Sequence, residues 1–390
     1  MATQASTPDK APGRWARKYP ELGQEPLSVA PYIDPDYYEK EKAKIFKKQW
    51  LYVALEREVP EPGSYKVRRL DCADTSVIVI RGKDNVIRAF HNACRHRGNK
   101  LVSERRGRIP AVLRCNYHSW CYGPDGSLRS APRTECLKNF DKADHGLKPV
   151  RVETFAGFVY VTLDDNAKPV AEMAPGAEAE MRRFLPDLDN LKLVEEVDVI
   201  VPANWKVIQE NSIEGYHFDL SGPVHKHLAS LIDFSQYRLT PHGDWWTYMA
   251  PPNAKAQTAY GLPIDGATWQ TDWFFNIGLW PNTTLYCFPF TDMVGTFIMI
   301  PLEPEKSLLR FGYYAPVGRE TPALTKAATD GLLPDKREGA LTIANTKVKI
   351  DGRDQYIKMV VWMPMVAGIV KKVRQSGEVA SMTAKAVYEK

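Results

Sequence analysis

The sequence lacks a large net charge, a dense basic run and a long apolar segment, which are features of nucleic-acid-binding and membrane proteins. The formal net charge is only +5, because 52 Lys and Arg are mixed with 47 Asp and Glu. No basic run is dense enough to follow a nucleic-acid backbone. No segment reaches the roughly eighteen uninterrupted apolar residues that a membrane-spanning helix needs, since "MVVWMPMVAGIV" from Met359 is shorter and contains a proline. We therefore expect neither nucleic acid nor a membrane as a partner.

Cysteines are also few. The 390 residues contain six, at irregular spacing, and the start "MATQASTPDKAPGRWARKYPELGQEP" has no apolar export signal. These features argue against a disulfide framework and predict a cytoplasmic protein whose cysteines are reduced thiols or metal ligands. Four cysteines have no partner pattern and are expected to be small buried side chains; they are Cys72, Cys121, Cys136 and Cys287.

The length predicts more than one domain, because one hydrophobic core usually stops growing at about 250–300 residues. Apolar spacing predicts a helix from Tyr37 to Ala54. Short β-branched runs broken by turn residues then predict a small all-β module over roughly residues 55–165, with a hairpin at "GPDGSL". Beyond it, a strand leads into a helix near Asn204, and a β-rich block covers 245–314. The larger part is therefore predicted to be α+β, a curved antiparallel sheet around a long helix.

Two loops in the β module each join a cysteine and a histidine. Cys94 and His96, then Cys115 and His118, form the pattern C-x-H-x18-C-x2-H. Zinc accepts such ligands, but zinc fingers usually separate the cysteine pair from the histidine pair. One of each per loop suits a two-iron cluster in which two cysteines hold one iron and two histidines the other. A zinc ribbon and unrelated packed side chains are the alternatives.

A second set of candidate ligands follows Asn204 in "NWKVIQENSIEGYHFDLSGPVHKHL". Glu214 and His217 are three residues apart, so they share one face of the predicted helix. Two histidines and one carboxylate form the facial triad of non-haem Fe(II) oxygenases, which leaves positions open for O2 and substrate. The sequence therefore predicts a mononuclear iron site in the larger domain.

Together these motifs resemble the Rieske non-haem iron ring-hydroxylating oxygenases, whose C-x-H is usually followed by RG, as at Arg97 and Gly98, and whose C-x-x-H is followed by a Trp such as Trp120. The spacer between the two loops is slightly long for that family. The resemblance implies a Rieske [2Fe–2S] domain and a larger helix-grip type domain that holds mononuclear Fe(2+). We assign residues 1–46 to an arm and a helix that packs on the catalytic domain, 47–165 to the Rieske domain and 166–390 to the catalytic domain.

The resemblance also implies individual roles. Cys94, His96, Cys115 and His118 would hold the cluster. His217 would be the first ligand of the mononuclear iron, His225 the second with His227 as the alternative, and Asn211 would lie close to the iron. For the carboxylate ligand we favour Asp335, with Glu338 and Asp354, in a helix-like setting, as alternatives. The tail from about Thr346 does not resemble the family.

The family's assembly implies partners. A head-to-tail homotrimer would place one subunit's cluster beside the next subunit's iron, bridged by Glu214 between His217 and His118 or His96. The chain has no G-x-G-x-x-G turn after a strand, so it is not expected to bind a nicotinamide or flavin itself. The resemblance implies a separate NADH-dependent flavin and iron–sulfur reductase.

The substrate is less constrained. Glu214 stands where arene dioxygenases usually have Asp, and Glu there is similar to the carnitine- and choline-type monooxygenases of quaternary ammonium compounds. The larger domain is also rich in aromatic side chains that suit a methylated cation, an arene or a sheet core; they are Trp245, Trp246, Tyr248, Tyr260, Trp269, Trp273, Phe274, Phe275 and Trp280. Hydroxylation of an aromatic carboxylate anchored by Arg238 or Arg310 is the alternative, and a Rieske electron-transfer protein without oxygenase activity is the second.

Overall fold

The computed structural model describes residues 27–185, 187–213, 228–259, 262–263, 272–287, 289–318, 341–350, 353–362, 370–373 and 378–379. Most of the predicted iron ligands lie outside these ranges, in 214–227 and 319–340. Among the helices in the described ranges, none is long and apolar enough to cross a membrane.

The first described segment is helical for a shorter stretch than predicted. Helices α1 (Ala30–Ile33) and α2 (Pro35–Glu41) lead into a π-helical turn at Lys42–Phe46. The predicted helix from Tyr37 to Ala54 is therefore wrong in its second half, because strand β2 (Leu51–Leu55) follows and all five of its residues are buried. The buried residues of the helix and those of the following strand lie close together in the sequence, so their apolar spacing predicts a single helix.

The β module is present as predicted. Its main sheet is antiparallel with the strand order β2-β11-β10-β5-β4-β3-β6, and a second sheet has the order β7-β8-β9. The predicted hairpin at "GPDGSL" joins β8 to β9. The strands are β2 (Leu51–Leu55), β3 (Ser64–Leu70), β4 (Thr75–Arg81), β5 (Ile87–His91), β6 (Arg106–Arg108), β7 (Leu113–Arg114), β8 (Cys121–Tyr122), β9 (Leu128–Ser130), β10 (Pro149–Phe155) and β11 (Phe158–Thr162).

The larger part is built on a seven-stranded antiparallel sheet, which confirms the predicted α+β class. The strand order is β12-β20-β19-β18-β17-β14-β13. Its elements are α3 (Val170–Met173), α4 (Ala177–Phe184), β12 (Leu191–Val201), α5 (Trp205–Ser212), β13 (Arg238–Pro241), β14 (Trp245–Ala250), β17 (Phe274–Leu279), β18 (Thr283–Cys287), β19 (Val294–Glu303) and β20 (Lys306–Pro316). A small hairpin pairs β15 (Thr258–Ala259) with β16 (Leu262–Pro263).

The late part of the chain is extended rather than helical where it is described. Strands β21 (Leu341–Ile350), β22 (Arg353–Trp362) and β23 (Val370–Val373) form an antiparallel sheet, and β24 (Glu378–Val379) pairs with β1 (Leu27–Ser28). The helix-like setting expected for Asp354 is therefore wrong, because this residue lies on β22 and pairs with Lys349. Valine and isoleucine in this segment fit a strand at least as well as a helix.

The N-terminal helices hold the start of α5. Asn204 caps this helix by accepting a hydrogen bond from the Lys206 N–H (2.9 Å), which satisfies a donor that the first turn leaves open. Buried Glu41 of α2 accepts a hydrogen bond from Trp205 Nε1 (3.0 Å) and pairs with Lys206 Nζ (2.6 Å). The Tyr32 hydroxyl donates to Glu210 (2.6 Å). The start of α5 is thus fixed by a segment that lies 164 to 178 residues earlier in the chain.

A buried layer of ion pairs joins the β module to the larger sheet. Lys66 and Arg68 of β3 have side chains only 5% exposed; Lys66 pairs with Glu58, and Arg68 donates two hydrogen bonds to Glu196 of β12. Burial alone would raise the pKa of Glu196, but the hydrogen bonds and charge of Arg68 outweigh it and hold that pKa well below its usual range. Arg68 and Glu196 therefore depend on each other across the boundary, and Lys66 also lies 3.6 Å from Glu196.

The same layer of ion pairs includes Arg310, one of the two arginines that were considered as anchors for a substrate carboxylate. Arg310 of β20 donates two hydrogen bonds to Asp198 (2.7 and 2.9 Å), beside Arg105 of the β module (3.4 Å to Asp198). Tyr52 and Tyr314 share a buried hydroxyl–hydroxyl hydrogen bond (2.7 Å) across the boundary. Arg310 thus serves the boundary between the two parts, and the carboxylate-anchor role considered for it is not supported.

Replacing Arg68 by Ala is expected to lower the free energy of unfolding by about 3–5 kcal/mol, because buried Glu196 would lose both of its hydrogen bonds to Arg68 and keep only longer ion pairs, such as that with Lys66 (3.6 Å). Urea unfolding followed by circular dichroism measures this loss. Arg129→Ala is the matched control, since Arg129 pairs with Asp125 at the surface of the same module and its loss is expected to cost no more than about 1 kcal/mol. Equal losses for the two variants would contradict the role of the buried layer.

Candidate metal centre

Two tight loops position the predicted cluster ligands. In the first, the Gly98 N–H donates to the Cys94 carbonyl (2.8 Å), and Gly98 has a φ of 67°, a left-handed conformation that glycine adopts without strain. In the second, the Ser119 N–H donates to the Cys115 carbonyl (3.0 Å), while the Cys115 N–H donates to the Trp120 carbonyl (2.8 Å). Both loops therefore turn their Cys and His side chains toward one another.

The four side chains form a two-and-two arrangement. Cys94 and Cys115 are 4% and 1% exposed, and both are free thiols that contact each other. His96 is exposed and His118 half-buried, with ring centres 4.6 Å apart. Two inner sulfurs and two outer imidazoles are the donor set of a [2Fe–2S] cluster with one cysteine-bound and one histidine-bound iron. The residues present fit that group.

Hydrogen-bond donors surround both sulfurs. The Tyr122 hydroxyl lies 3.2 Å from Cys94 Sγ and accepts a hydrogen bond from the Arg95 N–H (3.0 Å), so its own proton is directed to a Cys94 thiolate. Asn99 Nδ2 lies 3.7 Å from Cys115 Sγ. Burial raises the pKa of the Cys94 thiol, and it also acts to raise that of Cys115. Backbone N–H groups reverse the effect at Cys115 and bring its pKa below the usual value.

These sulfur donors were missed by the sequence analysis. Tyr122 and Asn99 are not part of the C-x-H and C-x2-H patterns, and Tyr122 meets Cys94 only through a tertiary contact between residues 28 apart in the sequence. The other cysteines follow the prediction in part. Cys72 and Cys287 are buried, whereas Cys121 is half-buried and Cys136 is exposed, so the predicted burial of Cys136 is wrong because its loop lies at the surface.

The histidine side of the centre opens to solvent. His96 stacks on Trp120 (ring centres 5.0 Å apart, 9° between planes). Next to both histidines lies a depression of about 640 Å³. It is lined by Arg95, His96, His118, Ser119, Trp120, Pro132, Arg133, Thr134, Leu137, Phe140 and His145. The imidazoles can therefore be reached by another protein surface.

The structure describes the approach to the second centre but not its ligands. Asn211 is buried in the last turn of α5. The Tyr237 hydroxyl donates to the Ile213 carbonyl (2.6 Å) and so fixes the end of this helix. The next residues of the second motif lie outside the described residues: Glu214, His217, His225 and His227, as do Asp335 and Glu338. Their roles stay predictions.

Comparisons with known proteins agree with this geometry. A model of the Rieske [2Fe-2S] domain matches residues 49–141. A model of the ring hydroxylating alpha subunit (catalytic domain) matches residues 188–332. The first match contains the four predicted cluster ligands and the second contains α5 with the predicted iron histidines.

Individual relatives are similar over most of the chain. The carnitine monooxygenase oxygenase subunit of Escherichia coli (strain K12) is 34% identical over 73% of this chain and 73% of its own length. The 2-aminobenzenesulfonate 2,3-dioxygenase subunit alpha of Alcaligenes sp is 33% identical over 72% of each chain. The solved structure of a quaternary ammonium Rieske monooxygenase, described with carnitine oxidation and inter-subunit electron transfer, has a TM-score of 0.70 at 30% identity, over 78% of this chain and 80% of that one.

Replacing Tyr122 by Phe is expected to lower the reduction potential of the cluster by tens of millivolts. The lost hydrogen bond to Cys94 Sγ stabilises the more negatively charged reduced state more than the oxidised one. A redox titration followed by visible absorbance measures the change. Tyr65→Phe removes a hydroxyl from the same buried core and is expected to leave the potential unchanged; a Tyr122→Phe potential equal to that of the unmodified protein would contradict the role of this hydrogen bond.

Proposed function

Because the chain belongs to the Rieske non-haem iron oxygenases, whose oxygenase subunits carry a [2Fe–2S] cluster and a mononuclear iron, we propose that it hydroxylates a methyl group of a quaternary ammonium compound. The main support is the similarity to the carnitine monooxygenase oxygenase subunit over nearly three quarters of both chains. The similar solved structure is also a quaternary ammonium monooxygenase. Glu214, in place of the Asp usual in arene dioxygenases, points the same way.

The reaction has a simple balance. One oxygen atom of O2 is inserted into a C–H bond of the substrate. The other leaves as water after it takes up two protons from solvent and two electrons that a reductase supplies one at a time. Hydroxylation of an N-methyl group is followed by loss of formaldehyde, whereas oxidation elsewhere gives an alcohol or aldehyde. When bound, the cluster supplies electron transfer and the ferrous iron supplies O2 activation.

The described residues include the proposed cluster ligands and the groups that fix both ends of α5. Cys94, Cys115, His96 and His118 would hold the cluster, while the Tyr122 hydroxyl would donate to a ligand sulfur. Buried donors around a cluster tune its potential. The Asn204 cap and the Tyr237 hydrogen bond to Ile213 fix both ends of α5, so that the following residues start from a defined position.

The mononuclear iron would be held by residues after α5 and by one late carboxylate. We propose His217 and His225 as its histidine ligands, with His227 as the alternative, and Asn211 as a neighbour. Asp335 is the proposed carboxylate. Glu338 and Asp354 are the alternatives, and the strand position of Asp354 removes the helical setting that favoured it.

A head-to-tail homotrimer would complete the pathway. His96 and His118 lie at an open depression, and exposed Tyr117 and Leu137 lie beside it. A neighbouring subunit seated there would bring its Glu214 between a cluster histidine and its own His217. The similar solved structure is described with inter-subunit electron transfer, which supports this arrangement.

The electron donor would be a separate NADH-dependent flavin and iron–sulfur reductase. The absence of a G-x-G-x-x-G turn in the sequence supports a separate nucleotide-binding partner. All six cysteines are free thiols, which suits the reducing cytoplasm proposed as its location. We also propose that the domain boundaries follow residues 46 and 165.

One alternative has specific support. The similarity to a 2-aminobenzenesulfonate 2,3-dioxygenase subunit favours oxidation of an anionic arene as the second candidate. An electron-transfer protein without oxygenase activity is disfavoured, because the catalytic-domain model matches residues 188–332.

Substrate-dependent O2 uptake separates these candidates. With iron, NADH and a surrogate reductase, we expect O2 uptake coupled to product with L-carnitine, glycine betaine or choline. Benzoate and 2-aminobenzenesulfonate are expected to give uncoupled uptake only, because the similarity to carnitine and quaternary ammonium monooxygenases favours a methylated cation as the substrate. Product from the arenes alone would overturn the quaternary ammonium proposal.

Iron analysis of single variants tests the proposed ligands. His118→Ala is expected to abolish the visible absorbance of the cluster, whereas His217→Ala and Asp335→Ala are expected to lose only the mononuclear iron. Glu338→Ala and Asp354→Ala serve as matched controls that keep it. If one of these two loses the iron and Asp335→Ala retains it, the assignment of Asp335 is wrong.

A further inference from the structure

The two faces of the large sheet have different neighbours. On one face, Phe275 stacks on Phe184 of α4 (4.2 Å between ring centres). The opposite face carries Tyr248, whose ring lies 5.7 Å from that of Tyr237. Since Tyr237 is hydrogen-bonded to Ile213 at the end of α5, this second face, here called the α5 face, lies where the chain continues toward the proposed iron ligands.

Sheet register places a group of polar side chains on the α5 face. Asn276 is directly opposite Tyr248, and Gly278 is directly opposite Trp246 and Thr284. Directly opposed residues in an antiparallel pair point to the same side, as do residues two apart on one strand. Trp246, Asn276 and Thr284 therefore all project from the α5 face.

These groups approach one another because Gly278 has no side chain. The Trp246 indole lies over it, with Nε1 only 2.5 Å from the position that a β-carbon on residue 278 would take. Asn276 is two residues from Gly278 along β17, a separation of roughly 7 Å, and Thr284 is its cross-strand neighbour. The indole nitrogen, the amide and the hydroxyl thus surround one patch of the sheet.

Among the residues that the structure describes, the polar atoms of this patch have no hydrogen-bond partner. Trp246 Nε1, Asn276 Nδ2 and Thr284 Oγ1 are all buried without one, and Asn276 and Thr284 are only 3% and 2% exposed. Buried donors without acceptors are disfavoured unless a ligand or water completes them. Two N–H donors and a hydroxyl are suited to a carboxylate, whose two oxygens accept several hydrogen bonds.

We propose that Trp246, Asn276 and Thr284 form a subsite for the carboxylate of a zwitterionic quaternary ammonium substrate. This inference rests on the proposed function and narrows its substrate class to betaines. The methylated cation would lie toward the neighbouring rings of Tyr237, Tyr248 and Phe274, which attract it through their faces. Neutral donors take the role for which Arg310 was considered, since Arg310 belongs to the opposite, ion-paired face.

Two adjacent threonines give a matched test. Thr283 and Thr284 of β18 are both buried, and neither hydroxyl has a hydrogen-bond partner in the described part of the chain. They project from opposite faces of the sheet. Thr284→Val removes a group of the subsite, Thr283→Val removes an equivalent hydroxyl outside it, and both changes keep the side-chain shape. Asn276→Asp adds a negative charge that would repel a carboxylate.

The test compares KM in coupled turnover and Kd by calorimetry of the iron-loaded enzyme for L-carnitine, glycine betaine and carboxylate-free choline. Thr284→Val and Asn276→Asp are expected to raise both constants for the betaines about tenfold or more, a change equivalent to one lost hydrogen bond to a charged group. Choline constants are expected to stay within about twofold for Thr284→Val, and Thr283→Val to change none.

Equal effects on choline and on the betaines, or equal effects of Thr283→Val and Thr284→Val, would overturn the subsite. Wild-type turnover of choline but of neither betaine would also overturn it while leaving quaternary ammonium oxidation standing. If the wild type oxidises only arenes, the proposed function fails, and the subsite then fails as well unless Asn276→Asp raises the KM for benzoate.

Discussion

The buried ion pairs between β3 and β12 are the interaction on which the rest of the structure depends. Lys66 and Arg68 face Glu58 and Glu196 in a region where unpaired charge is costly. Burial, followed by the nearby charge of Arg68, lowers the pKa of Lys66 to about 8, so this lysine depends on its carboxylate partners to stay protonated. Such a layer specifies one orientation of the cluster module on the sheet, because Arg68 and Glu196 pair with each other only in that orientation.

In that orientation, one face of the larger sheet contacts the cluster module and the opposite face carries the proposed substrate site. One face carries Arg310, Asp198 and Tyr314 and receives the cluster module. The other carries Trp246, Tyr248 and Asn276 and lies at the end of α5. Electron input and proposed substrate binding are therefore separated by one layer of backbone within a chain. The imidazoles of exposed His96 and half-buried His118 border an open depression, the position proposed for a neighbouring subunit.

Features that depend on residues close together in the chain could be predicted from the sequence. The Cys and His loops, the β module and the start of α5 at Asn204 depend on residues close in the chain, and each was found where expected. The strand starting at Leu51 and the strand position of Asp354 were missed, because helical and strand patterns overlap over short apolar runs. Tyr122 beside Cys94 depends on a tertiary contact between two loops, and Asn276 beside Trp246 depends on strand register; spacing along the chain encodes neither.

A single-turnover experiment tests most directly whether cluster and iron serve one oxidation. The iron-loaded protein is reduced chemically without any reductase and then mixed with O2 and L-carnitine, and cluster absorbance and product are followed together. The account predicts that reoxidation of the cluster accompanies product formation, and that Glu214→Gln slows both while keeping the iron. Cluster reoxidation without product, or unchanged rates in Glu214→Gln, would contradict it.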